Sequence, residues 1–183
     1  MQLLQSRLHT PLGEMLLVTD TDGTIRALGF SDHKARLLRG LREHYGTSKL
    51  ATGQAPEAIA HAMERYFSGE LTAIDELPTA AAGTELQRRV WAALREIPAG
   101  TTTTYGKIAK ELGFTDPRAA IDVGAANGAN PIAIVIPCHR VIASNGDLKG
   151  YAWGVYRKCW LLTHENVPAF AKRVPYTMSL TGF

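Results

Sequence analysis

The sequence predicts an α+β fold in two parts: a small N-terminal antiparallel sheet with helices, then a mostly helical unit built on a helix-turn-helix. Three observations point to it. The first 30 residues alternate apolar runs with turn signals. From His33 to Phe67 apolar residues recur at helical spacing. Beyond Thr84 the periodic segments are mostly helical, and two short helices meet at a tight turn containing glycine. At 183 residues, 45 % of them hydrophobic, the chain can bury a core of this kind, and disorder is not expected. The boundaries that follow are 1–83 for an N-terminal α/β domain with its linker, 84–167 for the second domain and 168–183 for a C-terminal extension.

Taken in order, MQLLQSRL, EMLLVTD and IRALGF read as three strands of a meander, separated by Pro11-Leu12-Gly13 and Thr21-Asp22-Gly23 turns. Helices are predicted from His33 to Tyr45, with Leu37, Leu38 and Leu41 on one face, and from Pro56 to Phe67, with Ile59, Met63 and Phe67. Residues 68–83 lose periodicity and read as a connection. Thr84 with Gln87 matches a capping box; Leu86, Val90, Leu94 and Ile97 then share a face until Pro98-Ala99-Gly100 ends the helix. Tyr105–Leu112 reads as a short helix closed by Gly113. Asp116 as N-cap and Pro117 at the first helical position begin another that runs towards Asn127, slim with Ala and Gly. Ile132–Ile136 reads as a buried strand that Pro137 ends, and Arg157–Glu165 as a last helix.

Charge divides unevenly. Residues 1–83 hold 8 Lys+Arg against 10 Asp+Glu and residues 84–183 hold 12 against 7, so the basic surface lies in the second half, a hint of a polyanionic partner. The N-terminus lacks a basic stretch followed by an apolar core, and no apolar run approaches the roughly 18 residues of a membrane span. The chain is expected to be soluble and not exported. Its two cysteines, Cys138 and Cys159, are expected to be reduced thiols, and the histidines show no metal-ligand spacing, so no metal is predicted.

The stretch IVIPCHRVI places Cys138 where the chain must leave an apolar run, beside His139 and Arg140. A buried cysteine packs as a small hydrophobe, but one with a base nearby is a nucleophile. His139 or His164 could be that base, and Glu165 is the best-placed acid by type to orient a ring, giving a Cys–His–Glu relay. Such a relay fits a thiol hydrolase as well as a transferase. Cys159, Trp91 and Trp160 read as packing residues, and Arg157 and Lys158 equally as phosphate contacts or as a solvated basic pair.

In that order and spacing, GTELQRRVWAALREIPAGTTTTYGKIA, VGAANGANPIAIVIPCHRVI, GYAWGVYRK and LLTHE resemble the C-terminal domain of the O6-alkylguanine-DNA alkyltransferases over residues 83–166. The first half resembles that family's N-terminal domain in size, strand-then-helix order and the opening TPLG. The resemblance implies a ribonuclease H-like first part and a winged helix-turn-helix-like second part. It implies stoichiometric transfer of an alkyl group from O6 of guanine in duplex DNA, with O4-methylthymine as a second candidate substrate, to the protein's own cysteine without turnover or cofactor. Cys138 would be the acceptor, His139 its base through a water, Glu165 the group orienting His139, Tyr105 a donor to the departing guanine and Asn130 a brace for the cysteine region. Backbone groups of Cys138, Val141 and Ala152 would read the flipped base, with Tyr151 as a pocket wall and Trp153 narrowing the entrance against bulky adducts. Thr104, Arg118, Ile121, Ala125, Ala126, Asn127 and Arg140 would meet DNA, the second helix entering the minor groove of double-stranded DNA. A monomer in the cytoplasm, on the nucleoid when bound to DNA, is implied too.

One departure stands out. The family places an arginine two residues before VG as a finger that fills the flipped base's gap; here that position is Ile121, followed by Asp122, with Phe114-Thr115 as an apparent insertion in the preceding turn. Apolar wedges can hold bases unstacked, and Arg118 lies one turn earlier, but weaker DNA affinity than the family norm is expected. The rival readings are a non-enzymatic binder that flags alkylated bases for other repair factors, against which Cys138 argues, and a cysteine hydrolase with repeated turnover.

Overall fold

The computed structural model describes residues 1–46 and 50–170. Of the expected C-terminal extension, residues 171–183 lie outside the described residues, and Phe170 packs with Leu162 and Val167. The meander forms as expected: β1 (Leu3–Thr10), β2 (Gly13–Asp20) and β3 (Ile25–Phe30) pair antiparallel, with Leu3 opposite Asp20 and Met15 opposite Phe30. The first turn requires Gly13, at φ 115°, and Thr10 holds it by accepting from the Leu12 N–H and donating to the Gly13 carbonyl. In the second turn the Asp20 carboxylate accepts from the Asp22 and Thr24 N–H groups and pairs with Arg26.

A fourth strand that the sequence does not predict, β4 (Leu50–Thr52), joins the far edge parallel to β1, giving the order β3-β2-β1-β4. Three residues are too few to show a two-residue period. The parallel crossover runs through α1 (Lys34–Tyr45), which follows a 3-10 turn at Ser31–His33. Alternation on β2 then divides the sheet: Leu16 and Val18 pack with Leu37 and Leu41 of α1, while Met15 and Leu17 face the main core. That core includes Ile59, Met63 and Tyr66 of α2 (Glu57–Phe67) and runs on through Val90, Trp91 and Leu94 of α3 (Glu85–Arg95) to Cys138. The two halves of the chain therefore share one apolar core.

The second half begins at the predicted capping box, with the Thr84 hydroxyl accepting from the Gln87 N–H and the Gln87 side chain accepting from the Thr84 N–H. After β5 (Thr103–Thr104) come α4 (Tyr105–Glu111) and α5 (Ala119–Gly128), the helix-turn-helix, closed at Gly113 with φ 86°. Helix α5 starts later than its sequence suggests. Asp116 accepts from the Arg118 N–H and, through its carbonyl, from the Ala119 N–H, so residues 116–118 form a turn ahead of the helix. Because α5 is slim, α3 approaches closely enough for the Trp91 indole N–H to reach the Ala126 carbonyl at 2.9 Å. Two more elements follow, β6 (Val141–Ile142), parallel to β5, and α6 (Val155–His164).

Residues 132–136 do not form the expected strand. Only Ile132 bridges to Leu28 on the outer edge of β3, with Leu28 N–H to Pro131 carbonyl 2.9 Å and Ala133 N–H to Leu28 carbonyl 2.7 Å. The chain then turns, with Ile134 at φ 71°, a conformation costly for a β-branched residue and held here by its surroundings. An apolar run cannot reveal such a turn, because its signal is a polar side chain two residues upstream. The consequence is positional: the segment leading to Cys138 is hydrogen-bonded to the N-terminal sheet.

Candidate active site

Asn130 is that upstream side chain. Its amide nitrogen donates to the carbonyls of Ile132 at 3.2 Å and Ile136 at 2.8 Å, and its amide oxygen accepts from the Ile132 N–H at 2.9 Å. The turn it ties presents Cys138 at the start of a 3-10 turn, Cys138–Arg140, with the Cys138 N–H on the Ile136 carbonyl. Pro137 leaves no competing donor just before the cysteine. Asn127 of α5 donates to the Cys138 carbonyl at 3.4 Å.

His139 and Glu165, 26 residues apart, meet in the core. His139 Nε2 lies 2.8 Å from Glu165 Oε1, and both side chains are fully buried. An ionised carboxylate only accepts, so Nε2 carries the proton and, in the neutral ring, Nδ1 is left as the lone-pair nitrogen. That Nδ1 is buried without a hydrogen-bond partner among the described residues. Burial holds His139 below the usual histidine range despite Glu165. Burial also pushes the Cys138 thiol up, against the Asn130 hydrogen bond and the charges of Lys158 and Arg36. Both shifts favour the uncharged forms, a thiol at Cys138 and a neutral imidazole at His139. Burial alone would raise the Glu165 carboxyl, but His139 and Arg140 outweigh it and hold it far below the ordinary carboxylate range.

Arg140 is a correction to the sequence expectation. It is 3 % exposed and grips Glu165 through Nε and Nη2, both at 2.9 Å, while Nη1 reaches the Ile97 carbonyl at 2.6 Å, so it faces the relay and not DNA. Ala126 and Asn127 are corrected likewise: both are buried, one under Trp91 and the other against Cys138. Thr104 caps α4, accepting from the Lys107 N–H. The exposed face of the helix-turn-helix holds Arg118, Ile121 at 72 % exposure and Ala125. His164, the alternative base, stacks on Trp160 and bonds the Tyr66 carbonyl at 2.8 Å.

Around the cysteine, Tyr105 stands at the head of α4 with its ring against Gly124 of α5, 3.7 Å from where a Cβ there would lie. Burial and Cys138 raise its phenol, which keeps its proton. The Tyr151 hydroxyl is buried with no partner among the described residues. Val141 has its N–H on the Cys138 carbonyl, and its own carbonyl accepts from Lys158. Ala152 is half-buried and packs against the main core.

Trp153 is not at an entrance. It is 1 % exposed, edge-on to Phe30 and His33, with Arg36 over its ring at 5.2 Å and two ring carbons 2.4 and 2.5 Å from an ideal Cβ on Gly29. The indole locks the 151–154 segment onto β3. Arg157 and Lys158 are not solvated either. Arg157 bonds Asp32, the Leu12 carbonyl and the Trp153 carbonyl and covers the Phe30 ring at 3.8 Å. Lys158 donates to the Val141 and Leu148 carbonyls at 2.6 and 2.5 Å, and burial lowers its ammonium to about 8. Sequence reasoning also missed Tyr66 of α2, whose hydroxyl donates to Glu165 Oε1 at 2.7 Å. Its helical period reads only as core, and no local signal links it to a residue 99 positions on.

Among the described residues no helix is long and apolar enough to cross a membrane, and no three ligating side chains gather as a metal site would need. Residues 3–81 match the family described as 6-O-methylguanine DNA methyltransferase, ribonuclease-like domain, and residues 85–167 its DNA binding domain. A methylated-DNA–protein-cysteine methyltransferase of Shigella flexneri is 45 % identical over 169 residues, 91 % of this chain and 97 % of that one. The crystal structure of the Mycobacterium tuberculosis O6-methylguanine methyltransferase superposes with a TM-score of 0.74 at 32 % identity, covering 96 % of each chain. The structure of the OGT of that organism in complex with DNA superposes at 0.72 and 36 % identity, covering 89 % of this chain and 92 % of that one. A buried His139–Glu165 pair next to Cys138 in the chain, joined to a helix-turn-helix, with both halves matched over nearly their whole length, places the chain in the 6-O-methylguanine DNA methyltransferase family.

Proposed function

We propose that the protein repairs DNA by accepting the alkyl group of O6-methylguanine, and of O4-methylthymine as a second substrate, on Cys138 in a single turnover. The observation that supports this best is the proton geometry: Glu165 fixes the proton of His139 on Nε2, which leaves Nδ1 as the base in a fully buried site next to a neutral thiol.

The chemistry is an in-line displacement at the alkyl carbon. His139 Nδ1 takes the thiol proton through a water, the Cys138 sulfur bonds the methyl carbon, and the carbon–O6 bond breaks. The electron pair goes to guanine, and the Tyr105 phenol donates to the ring as charge develops there. Cys138 becomes a thioether, and because its thiolate is a poor leaving group from carbon, water does not displace it and the protein is spent after one transfer. Asn130 keeps the cysteine turn in place, and Tyr151 walls the pocket.

The target atom lies inside a duplex, so the base must be extruded. We place the exposed face of α4 and α5, with Arg118, Ile121 and Ala125, in the minor groove, Ile121 acting as an apolar wedge in place of the arginine finger. The protein acts as a monomer in the cytoplasm. Stoichiometry tests the reading: a duplex with one O6-methylguanine should lose one methyl per protein and then no more, whereas continued loss means hydrolysis. Lesion binding without loss means recognition alone.

A further inference from the structure

We infer that Tyr66, supplied by α2 of the N-terminal half, is a positioning residue of the acceptor relay, its hydroxyl steering the Glu165 carboxylate that orients His139. The inference rests on the alkyl-acceptor reading above and gives the N-terminal half a part in the chemistry.

Three donors converge on one carboxylate oxygen. Glu165 Oε1 accepts from Tyr66 at 2.7 Å, from His139 Nε2 at 2.8 Å and from Arg140 Nη2 at 2.9 Å, while Oε2 accepts from Arg140 Nε. The phenol is the shortest of the contacts, and Tyr66 is 0 % exposed. The residue is itself held at two points. Its carbonyl bonds His164 of α6, and its ring packs edge-on to Phe67 and His164, each at 5.2 Å. A helix of the first half and a helix of the second are thus clamped on either side of the carboxylate.

A buried phenol needs a partner, so the contact alone fits simple satisfaction of the hydroxyl. Its placement on the same oxygen as His139 gives it a second effect. Each donor on Oε1 draws off part of the charge that stabilises the imidazolium. Burial and Glu165 keep the phenol protonated, so it donates across the working range. Removing the hydroxyl concentrates the charge on His139, which then holds its proton to higher pH and is a free base less of the time. It also releases the carboxylate to swing. The other charged or titratable groups facing this cluster are Arg140 beside His139, His164 and Lys158 of α6, Cys138 and Tyr151; none is replaced in the test variant.

Tyr66→Phe keeps the ring and deletes the donor. Single-turnover methyl transfer from a duplex containing O6-methylguanine, followed from pH 5 to 9, should slow about tenfold at pH 7, at the low end for a hydrogen bond to a charged group. The acid limb of the profile should move up by about half a unit, with duplex affinity unchanged. A slower rate with an unmoved limb marks Tyr66 as packing only and overturns the inference, as does an unchanged rate. If the wild type transfers nothing, the alkyl-acceptor reading fails separately. The His139 titration followed by nitrogen NMR still decides this one: a higher pKa in Tyr66→Phe supports it, and an equal pKa refutes it.

Discussion

Replacing Arg140 by methionine removes the counter-charge of a buried carboxylate while keeping much of the side chain's volume. Three hydrogen bonds go, two to Glu165 at 2.9 Å and one to the Ile97 carbonyl at 2.6 Å. With Arg140 3 % and Glu165 1 % exposed, water cannot replace them. Breaking one side of a buried pair costs about 3–5 kcal/mol, and about 2–4 °C per kcal/mol for a chain of this size gives a Tm lower by about 6–20 °C. The pH dependence has a definite sign. Glu165 is depressed in the folded protein, so its stabilisation is complete above the ordinary value of 4.5 and is lost as pH falls through the folded value. In Arg140→Met the carboxyl rises, so the gap between the two proteins is widest at neutral pH and narrows below about 4.5. Urea denaturation at pH 7 and pH 4 measures both effects. A gap at pH 7 below about 1 kcal/mol, the range of an exposed pair, or one that does not narrow with acid, refutes the reasoning.

Gly29→Ala should cost about 1–3 kcal/mol, since the new Cβ meets the Trp153 ring, and less in a Trp153→Leu background, where Leu37 Cδ1 at 3.2 Å is the remaining close neighbour; equal costs in both, by denaturant melts, would deny the clash. Lys158 has its ammonium lowered by burial from 10.5 to about 8, so its stabilisation relative to Lys158→Met is present above 10.5 and lost as pH falls through 8. Melts between those limits should show wild type gaining about 3 kcal/mol on the variant, at 1.36 kcal/mol per unit; a flat difference contradicts the buried charge. Ile121→Arg adds a cation where the residue is 72 % exposed, and should steepen the salt dependence of duplex binding by about 0.9 in log–log slope. An unchanged slope would remove α5 from the DNA face.

The fold was legible wherever one element's own pattern decides its state. The meander, the capping box at Thr84 and the pair α4–α5 all follow from local turn chemistry and period. β4 and the turn at Ile132–Ile136 did not, because the first is three residues long and the second depends on Asn130. The site divides the same way. Cys138, His139 and Glu165 could be named from residue type and motif, but the direction in which a side chain points could not. PCHRV reads the same whether Arg140 faces DNA or Glu165, and only burial turns it inward. GYAWG reads as a pocket rim, yet Gly29, far upstream, makes the space that takes the indole. Tyr66 illustrates the general limit: a residue of the apolar stripe of α2 is indistinguishable from packing until the fold puts its hydroxyl on the carboxylate.

The central claim is that Cys138 is the acceptor, in a chain whose second thiol, Cys159, is half-buried in α6. Intact mass followed by peptide mapping, after mixing the protein with a duplex carrying one O6-methylguanine, tests it most directly. One added methyl per chain is expected, located on Cys138 and lost in Cys138→Ala. No added mass, or a methyl found on Cys159, would contradict it.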